Sequence, residues 1–193
     1  MNDPTDGTRR AHPPVGELPS NGEPPPRPLL TLGIDPSYVT EHWSVCGSVA
    51  DFVALFALHG RSRELVTSAS TVINELVENS VKYAAPSESR VEVVAWATGD
   101  SLTVETRHVT TPHHASRLRA ALSQLRSTRT EEVIEAQAED GEGSGLGLVS
   151  VVREHGAQVG ALVAPADDGP NATTGDAHVT HVIVRARMEL DAW

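Results

Sequence analysis

The sequence predicts an α+β domain in which helices cover one face of a mostly antiparallel sheet. Three observations predict it. Residues 90–108 carry two alternating apolar runs joined by Thr98-Gly99-Asp100, the pattern of a hairpin. The chain closes with two further strand-like runs, Val159–Ala164 and His178–Met188. Elsewhere apolar residues recur at helical spacing, most clearly over 61–85. Adjacent hairpins with helices grouped between them favour a layered α+β arrangement.

The elements follow in order. Residues 1–28 hold eight of the thirteen prolines and few large apolar side chains, so they read as a disordered, polyproline-like arm. The folded domain then spans 29–193. Leu29–Ile34 is an opening strand ended by Asp35-Pro36. Val39–His59 carries Trp43, Cys46, Val49, Phe52, Val53 and Phe56 at mixed helical spacing and stops at Gly60. Arg61–Ala85 places Leu65, Ala69, Val72, Ile73 and Leu76 on one stripe, and Pro86 ends it. Arg90–Ala97 and Ser101–His108 form the first hairpin. Helices are expected at Ala115–Leu125 and near Glu131–Ala138. A glycine-rich loop, Asp140–Gly145, runs into a helix at Leu146–Glu154 that Gly156 ends. The connection Asp167–Asp176 is long and polar.

Composition excludes several classes. The chain has 193 residues, 39% of them hydrophobic and only 4% aromatic, so Val, Leu and Ala must fill the core of a single domain. A net charge of -11 opposes sequence-independent binding of nucleic acid and docking on an anionic membrane. No apolar run is long enough to span a bilayer, and no secretory signal is visible, so a cytoplasmic location is expected. Cys46 is the only cysteine, which rules out an intrachain disulfide and fits a buried thiol. His108, His113 and His114 lack neighbouring cysteine or paired acidic ligands, so they read as loop histidines at a pocket mouth and not as a metal site. No Gly-x-Ser-x-Gly elbow supports a serine nucleophile.

Two motifs carry chemistry. The first is Asn74-Glu75-Leu76-Val77-Glu78-Asn79-Ser80-Val81-Lys82-Tyr83, on the clearest helix. With Glu75 at zero, Asn79 lies near 40° and Lys82 near -20°, each residue advancing about 100°. A carboxylate that can take a proton, an amide oxygen that can bind a hard cation and an ammonium that can meet phosphate therefore share one stripe. Lys82 is the only lysine among fifteen basic residues. The second motif is Gly141-Glu142-Gly143-Ser144-Gly145-Leu146-Gly147-Leu148, leading directly into a helix. Glycines let backbone N–H groups approach an anion, and the helix N-terminus adds about half a positive charge. The pattern is neither a Rossmann fingerprint nor a P-loop, because no strand leads into it and no Gly-Lys-Ser/Thr follows.

Together the motifs resemble the GHKL ATPase superfamily, including its small bacterial anti-sigma factor serine kinases. The first is similar to its N box and the second to its second glycine box. The resemblance covers about Leu29 to Met188 and implies a two-layer α/β sandwich, helices packed on one face of a mixed, mostly antiparallel sheet. It also implies that Glu75 is the general base, Asn79 the magnesium ligand and Lys82 a phosphate contact. ATP binding is assigned by the same resemblance to Asn79, Lys82, Tyr83 and His108, and to Gly143, Ser144, Gly145, Leu146, Gly147 and Leu148. The family's first glycine box, Asp-x-Gly-x-Gly, has no counterpart: His108 stands at its Asp, and no glycine follows before Gly141. In this the chain resembles SiaB-type regulators.

The resemblance implies an ATP- and magnesium-dependent serine/threonine protein kinase of bacterial signalling. Its partner would be of the sigma-factor or anti-sigma-antagonist type, and a homodimer is compatible. Two alternatives stand beside it: a non-catalytic module that sequesters such a partner, and a simple ATPase.

Overall fold

A computed structural model describes residues 15–19, 27–85, 90–127, 146–165 and 180–190. Alternation of apolar side chains sets the sheet. Its strands are β1 (Val15–Glu17), β2 (Leu30–Ile34), β3 (Val91–Ala97), β4 (Ser101–Thr110), β5 (Gln158–Pro165) and β6 (Thr180–Glu189). They lie in the order β1-β5-β6-β4-β3-β2. Every pairing is antiparallel, so no parallel pair mixes into the sheet among the described residues. One face carries Val91, Val93 and Ala95, then Leu102 and Val104, then Val182, Val184, Ala186 and Met188, all in the core.

The helices are α1 (Pro36–Glu41), α2 (Ser44–Ala57), α3 (Arg63–Tyr83), α4 (Pro112–Ser127) and α5 (Leu146–Arg153). Helix α3 shows why they form where they do. Ser62 caps it by accepting from the Leu65 amide at 3.2 Å. Glu64 in the first turn and Lys82 in the last both suit the helix dipole. The predicted stripe, Leu65, Ala69, Val72, Ile73 and Leu76, is buried against the sheet. Each of the larger side chains contributes about 1.5–3 kcal/mol by leaving water. Beyond Ala84 the backbone is extended, and the Ala85 amide donates to the Val109 carbonyl at 2.8 Å, tying the helix end to β4.

Three differences from the sequence reading have physical causes. The stretch 39–59 is two helices, with α1 turned onto α3. The mixed spacing of α2 separates into two faces. Cys46, Ala50, Val53 and Ala54 are buried, whereas Phe52, Leu55 and Phe56 are exposed. The arm is ordered in part: Val15–Glu17 pair with Ala161–Val163 along the free edge of β5. A three-residue strand has no periodicity to detect, and its partner lies far along the chain. The glycine loop 141–145, the expected helix 131–138 and the polar loop 167–176 lie outside the described residues. No described helix is long and apolar enough to cross a membrane.

Candidate functional site

The stripe on α3 faces α5. Two contacts fix the relation. The Ser68 hydroxyl lies 2.7 Å from Nδ1 of His155, just past the C-terminal end of α5. At the other end of α5, Gly147 sits against Glu75 so closely that a Cβ would overlap the Glu75 carboxylate. Ser68 precedes Glu75 while His155 follows Gly147, so the two helices run antiparallel. The N-terminus of α5 therefore points toward the end of α3 that carries Asn79 and Lys82. A helix N-terminus carries a partial positive charge, so that end of α3 faces one.

Asn79 is oriented by its own helix. Its side-chain Nδ2 donates to the Glu75 carbonyl at 2.7 Å. Only the amide nitrogen can donate to a carbonyl oxygen, so Oδ1 is turned away from it and is left as an acceptor. The half-buried Glu75 carboxyl is held above its ordinary pKa, first by desolvation and then by the nearby Glu78 charge. A raised pKa makes its carboxylate a stronger base. Lys82 is exposed, with Nζ 5.3 Å from the centre of the Tyr83 ring. Gly143, Ser144 and Gly145 lie outside the described residues. Leu146 opens α5, and Leu148 is buried in the core as its anchor.

Tyr83 and His108 lie elsewhere than the stripe. Tyr83 is turned about 80° around α3 from Glu75, by helical spacing. Its buried hydroxyl has no hydrogen-bond partner, and its ring meets His114 edge-on at 5.0 Å. The expectation of loop histidines at a pocket mouth is corrected. His108 is an interior residue of β4, and His113 and His114 open α4. Thr106 and Thr110 flank His108 on the same face, bonded to the Ser80 hydroxyl at 2.7 Å and to the Tyr83 carbonyl. That alternation puts the His108 imidazole beneath the end of α3.

His108 is 7% exposed, its Nδ1 is unpartnered, and burial pushes its pKa down to about 4. The folded imidazole is neutral where the unfolded one begins to take a proton near 6.5. Acid therefore favours the unfolded chain, and stability falls as pH drops from the ordinary value toward the depressed one. Between about pH 7 and about pH 5 the expected loss is ~2 kcal/mol. Urea unfolding at both pH values checks this. His108→Leu is expected to flatten the slope by that amount, and an unchanged slope would assign the acid sensitivity to other groups.

No family model matches the chain, and no curated protein does. A chain of the crystal structure of the SiaB–SiaC complex from Pseudomonas aeruginosa superposes on it with a TM-score of 0.57. The likeness covers 84% of this chain and 91% of that one, at 19% sequence identity. The two share a fold. At that identity nothing beyond the fold follows.

Within this fold, sequence reasoning missed the Ser68–His155 contact. Ser68 lies seven residues before Glu75, so the spacing alone placed it on the same stripe. It also missed Asn74, whose Nδ2 donates to Glu78 Oε1 at 2.9 Å and whose Oδ1 is buried without a partner. A cavity of about 520 Å³ lined by Phe52, Leu55, Phe56 and His59 lies on α2, and none of the expected site residues lines it. Among the described residues no group of three or more His, Cys, Asp or Glu could hold a metal ion.

Proposed function

We propose that the chain is a nucleotide-dependent regulator that transfers phosphate from magnesium-ATP to a serine or threonine hydroxyl of a protein partner. The observation that supports it most is the packing of Gly147 on Glu75. It sets the N-terminus of a glycine-preceded helix beside a carboxylate, an amide oxygen and a lysine on one stripe. These groups fit the substrate. Asn79 Oδ1 suits a magnesium ion, which when bound would neutralise phosphate charge, and Lys82 and the α5 amides suit the phosphates themselves.

In the reaction Glu75 accepts the proton of the attacking hydroxyl. That oxygen forms a bond to the γ-phosphorus as the bond to the β-phosphate oxygen breaks, and ADP leaves. Lys82 and the helix N-terminus meet the charge on the transferring group. SiaB–SiaC is a complex of two proteins. That supports a reading in which this chain also acts on a second protein, of the sigma-factor or antagonist type named by the motif resemblance.

One observation favours a second reading, a binding module without catalysis. His108 occupies the position of the family's acidic residue, buried and neutral. Calorimetry on the full chain decides. Magnesium-dependent ATP binding that weakens at least about tenfold in a folded Asn79→Ala protein is expected, since a lost hydrogen bond or ligand to a charged group costs about 1.5–3 kcal/mol. No binding at millimolar ATP would move the weight to the binding module.

A further inference from the structure

Helix α2 has two faces of different character. The inner one is built of small side chains, Cys46, Ala50, Val53 and Ala54, which seat the helix closely on the core. The outer one carries Val45, Ser48, Phe52 and Leu55, then His59 just past the helix end, at alternating spacings of three and four residues. Phe56 lies beside this stripe. Such spacing is the seam along which one helix packs on another. Phe52, Leu55 and Phe56 are 49%, 60% and 49% exposed. Half of the six exposed large hydrophobic residues in the described structure therefore fall within five consecutive positions. The Phe52 and Phe56 rings stack with centroids 5.9 Å apart, and with Leu55 and His59 they line the cavity of about 520 Å³. The Ser70 hydroxyl donates to Asp51 Oδ1 at 2.5 Å, which fixes α2 on α3 at the level of Phe52. Scattered exposed apolar side chains are ordinary, whereas a contiguous patch on a firm support marks an interaction surface.

The stripe is complementary to a second copy of itself. Its N-terminal half is small, Val45 and Ser48, and its C-terminal half is large, Phe52 to His59. A two-fold axis beside Phe52 with the helices antiparallel lays each large half on a small one, so Phe56 meets the partner's Ser48 and His59 meets the partner's Val45. Charge follows the same order. Exposed Glu41 stands before α2, and exposed Arg61 and Arg63 follow it, with Glu64 leaving that end net positive. An antiparallel pair brings the acidic end of one copy to the basic end of the other and opposes the two helix dipoles. A parallel pair sets like charges together. The stripe itself carries no carboxylate in a chain of net charge -11, so two acidic molecules can meet there at low electrostatic cost.

We infer that two copies of the chain associate through the outer stripe of α2, as an antiparallel helix pair about a two-fold axis near Phe52. The area sets the strength. A helix of 14 residues is about 21 Å long and about 10 Å wide, so each copy buries a few hundred Å². A standard interface takes about 800 Å² per partner, so this dimer is weak, with a Kd on the order of 10 µM. The pairing leaves the Glu75 stripe uncovered. Ser70 bonds to Asp51, and Asn74 Oδ1 lies 3.9 Å from a Cβ placed on Gly47, so these residues mark the side of α3 that faces α2. By helical spacing they stand about 140° and about 100° around α3 from Glu75.

Sedimentation equilibrium of the full chain tests this, over a range from about 1 µM to about 500 µM that brackets such a Kd. The mass is expected to rise from 20.5 kDa toward twice that value. Phe52→Glu and Leu55→Glu each put a charge into the seam from both copies and are expected to weaken association at least about tenfold. Both side chains are about half exposed, so the fold persists, and a melting curve checks it. Leu29→Glu, exposed beside the edge strand β2, is the control and is expected to change nothing. A chain that stays monomeric throughout overturns the inference and leaves the stripe to a different protein. A dimer that survives both stripe variants overturns it too, and its loss in Leu29→Glu would assign the contact to β2. Mild oxidation reads the orientation, with Cys46 buried and silent. Ser48→Cys mixed with Phe56→Cys is expected to give the mixed disulfide dimer in at least about tenfold excess over the Ser48→Cys homodimer, as effective concentration dictates. Predominant Ser48→Cys homodimer would overturn the antiparallel arrangement.

Discussion

Glu75→Gln is expected to abolish phosphoryl transfer while the fold and magnesium-ATP binding persist. Gln has the shape of Glu, so the contact with Gly147 survives. It cannot take a proton at neutral pH, which removes the general base. Such a base contributes about 10²–10⁴ in rate. The Glu75 pKa is raised by desolvation and by Glu78, so the charged form is the costly one in the folded state. A carboxyl raised in this way favours folding below its ordinary pKa, and that advantage is lost as pH rises through the folded value. The neutral amide escapes the loss, so Glu75→Gln should be at least as stable as the native chain at neutral pH. Transfer of labelled phosphate from ATP into cell-extract proteins, and its release to water without them, reads the activity. Undiminished transfer by a folded Glu75→Gln protein would remove the assigned role.

The second large effect is on stability. Glu105 is buried on the outer face of β4 between two arginines. Its Oε2 accepts from Arg107 at 2.8 Å, and its Oε1 accepts from Arg185, whose Nε lies at 2.6 Å. The Arg107 side chain is 42% exposed, so solvent screens that pair and it contributes little. Arg185 is only 15% exposed and Glu105 2%, so their pair is shielded. Removing one partner of a buried pair leaves an uncompensated charge and costs about 3–5 kcal/mol. Glu105→Ala should therefore lower Tm by roughly 10 °C, at about 2–4 °C per kcal/mol for a chain of this size. Calorimetric melting checks it. Glu92→Ala, which breaks only the exposed contact to Arg107, should shift Tm by about 2 °C at most. Equal shifts in the two variants would show that burial does not govern the network.

Much of this was legible in the residues. The alternation in 91–97 and 101–108 marked a hairpin because a strand's period of two is a property of each residue's own backbone. The first strand begins one residue later than expected, at Val91, and the extension of β4 to Thr110 comes from the partner strand β6, with which Val109 and Thr110 pair. The stripe of Glu75, Asn79 and Lys82 was equally readable, since a helix sets the angle between residues without help from the rest of the fold. Gly147 was readable only as part of a motif. That it leaves room for the Glu75 carboxylate follows only from the packing of α5 on α3.

What the sequence determined by itself is the local geometry: which residues alternate, which share a helix face, where Ser62 opens a helix and where Gly60, with φ of +83°, separates two. Each of these depends on neighbours a few residues away. Tertiary structure alone decided that α5 runs antiparallel to α3, that His108 is buried and neutral, and that Val15–Glu17 add an edge to β5. Each of those brings together segments far apart in the chain. Their free energy comes from surfaces that meet only after the intervening loops close, and no short-range pattern records which surfaces those are.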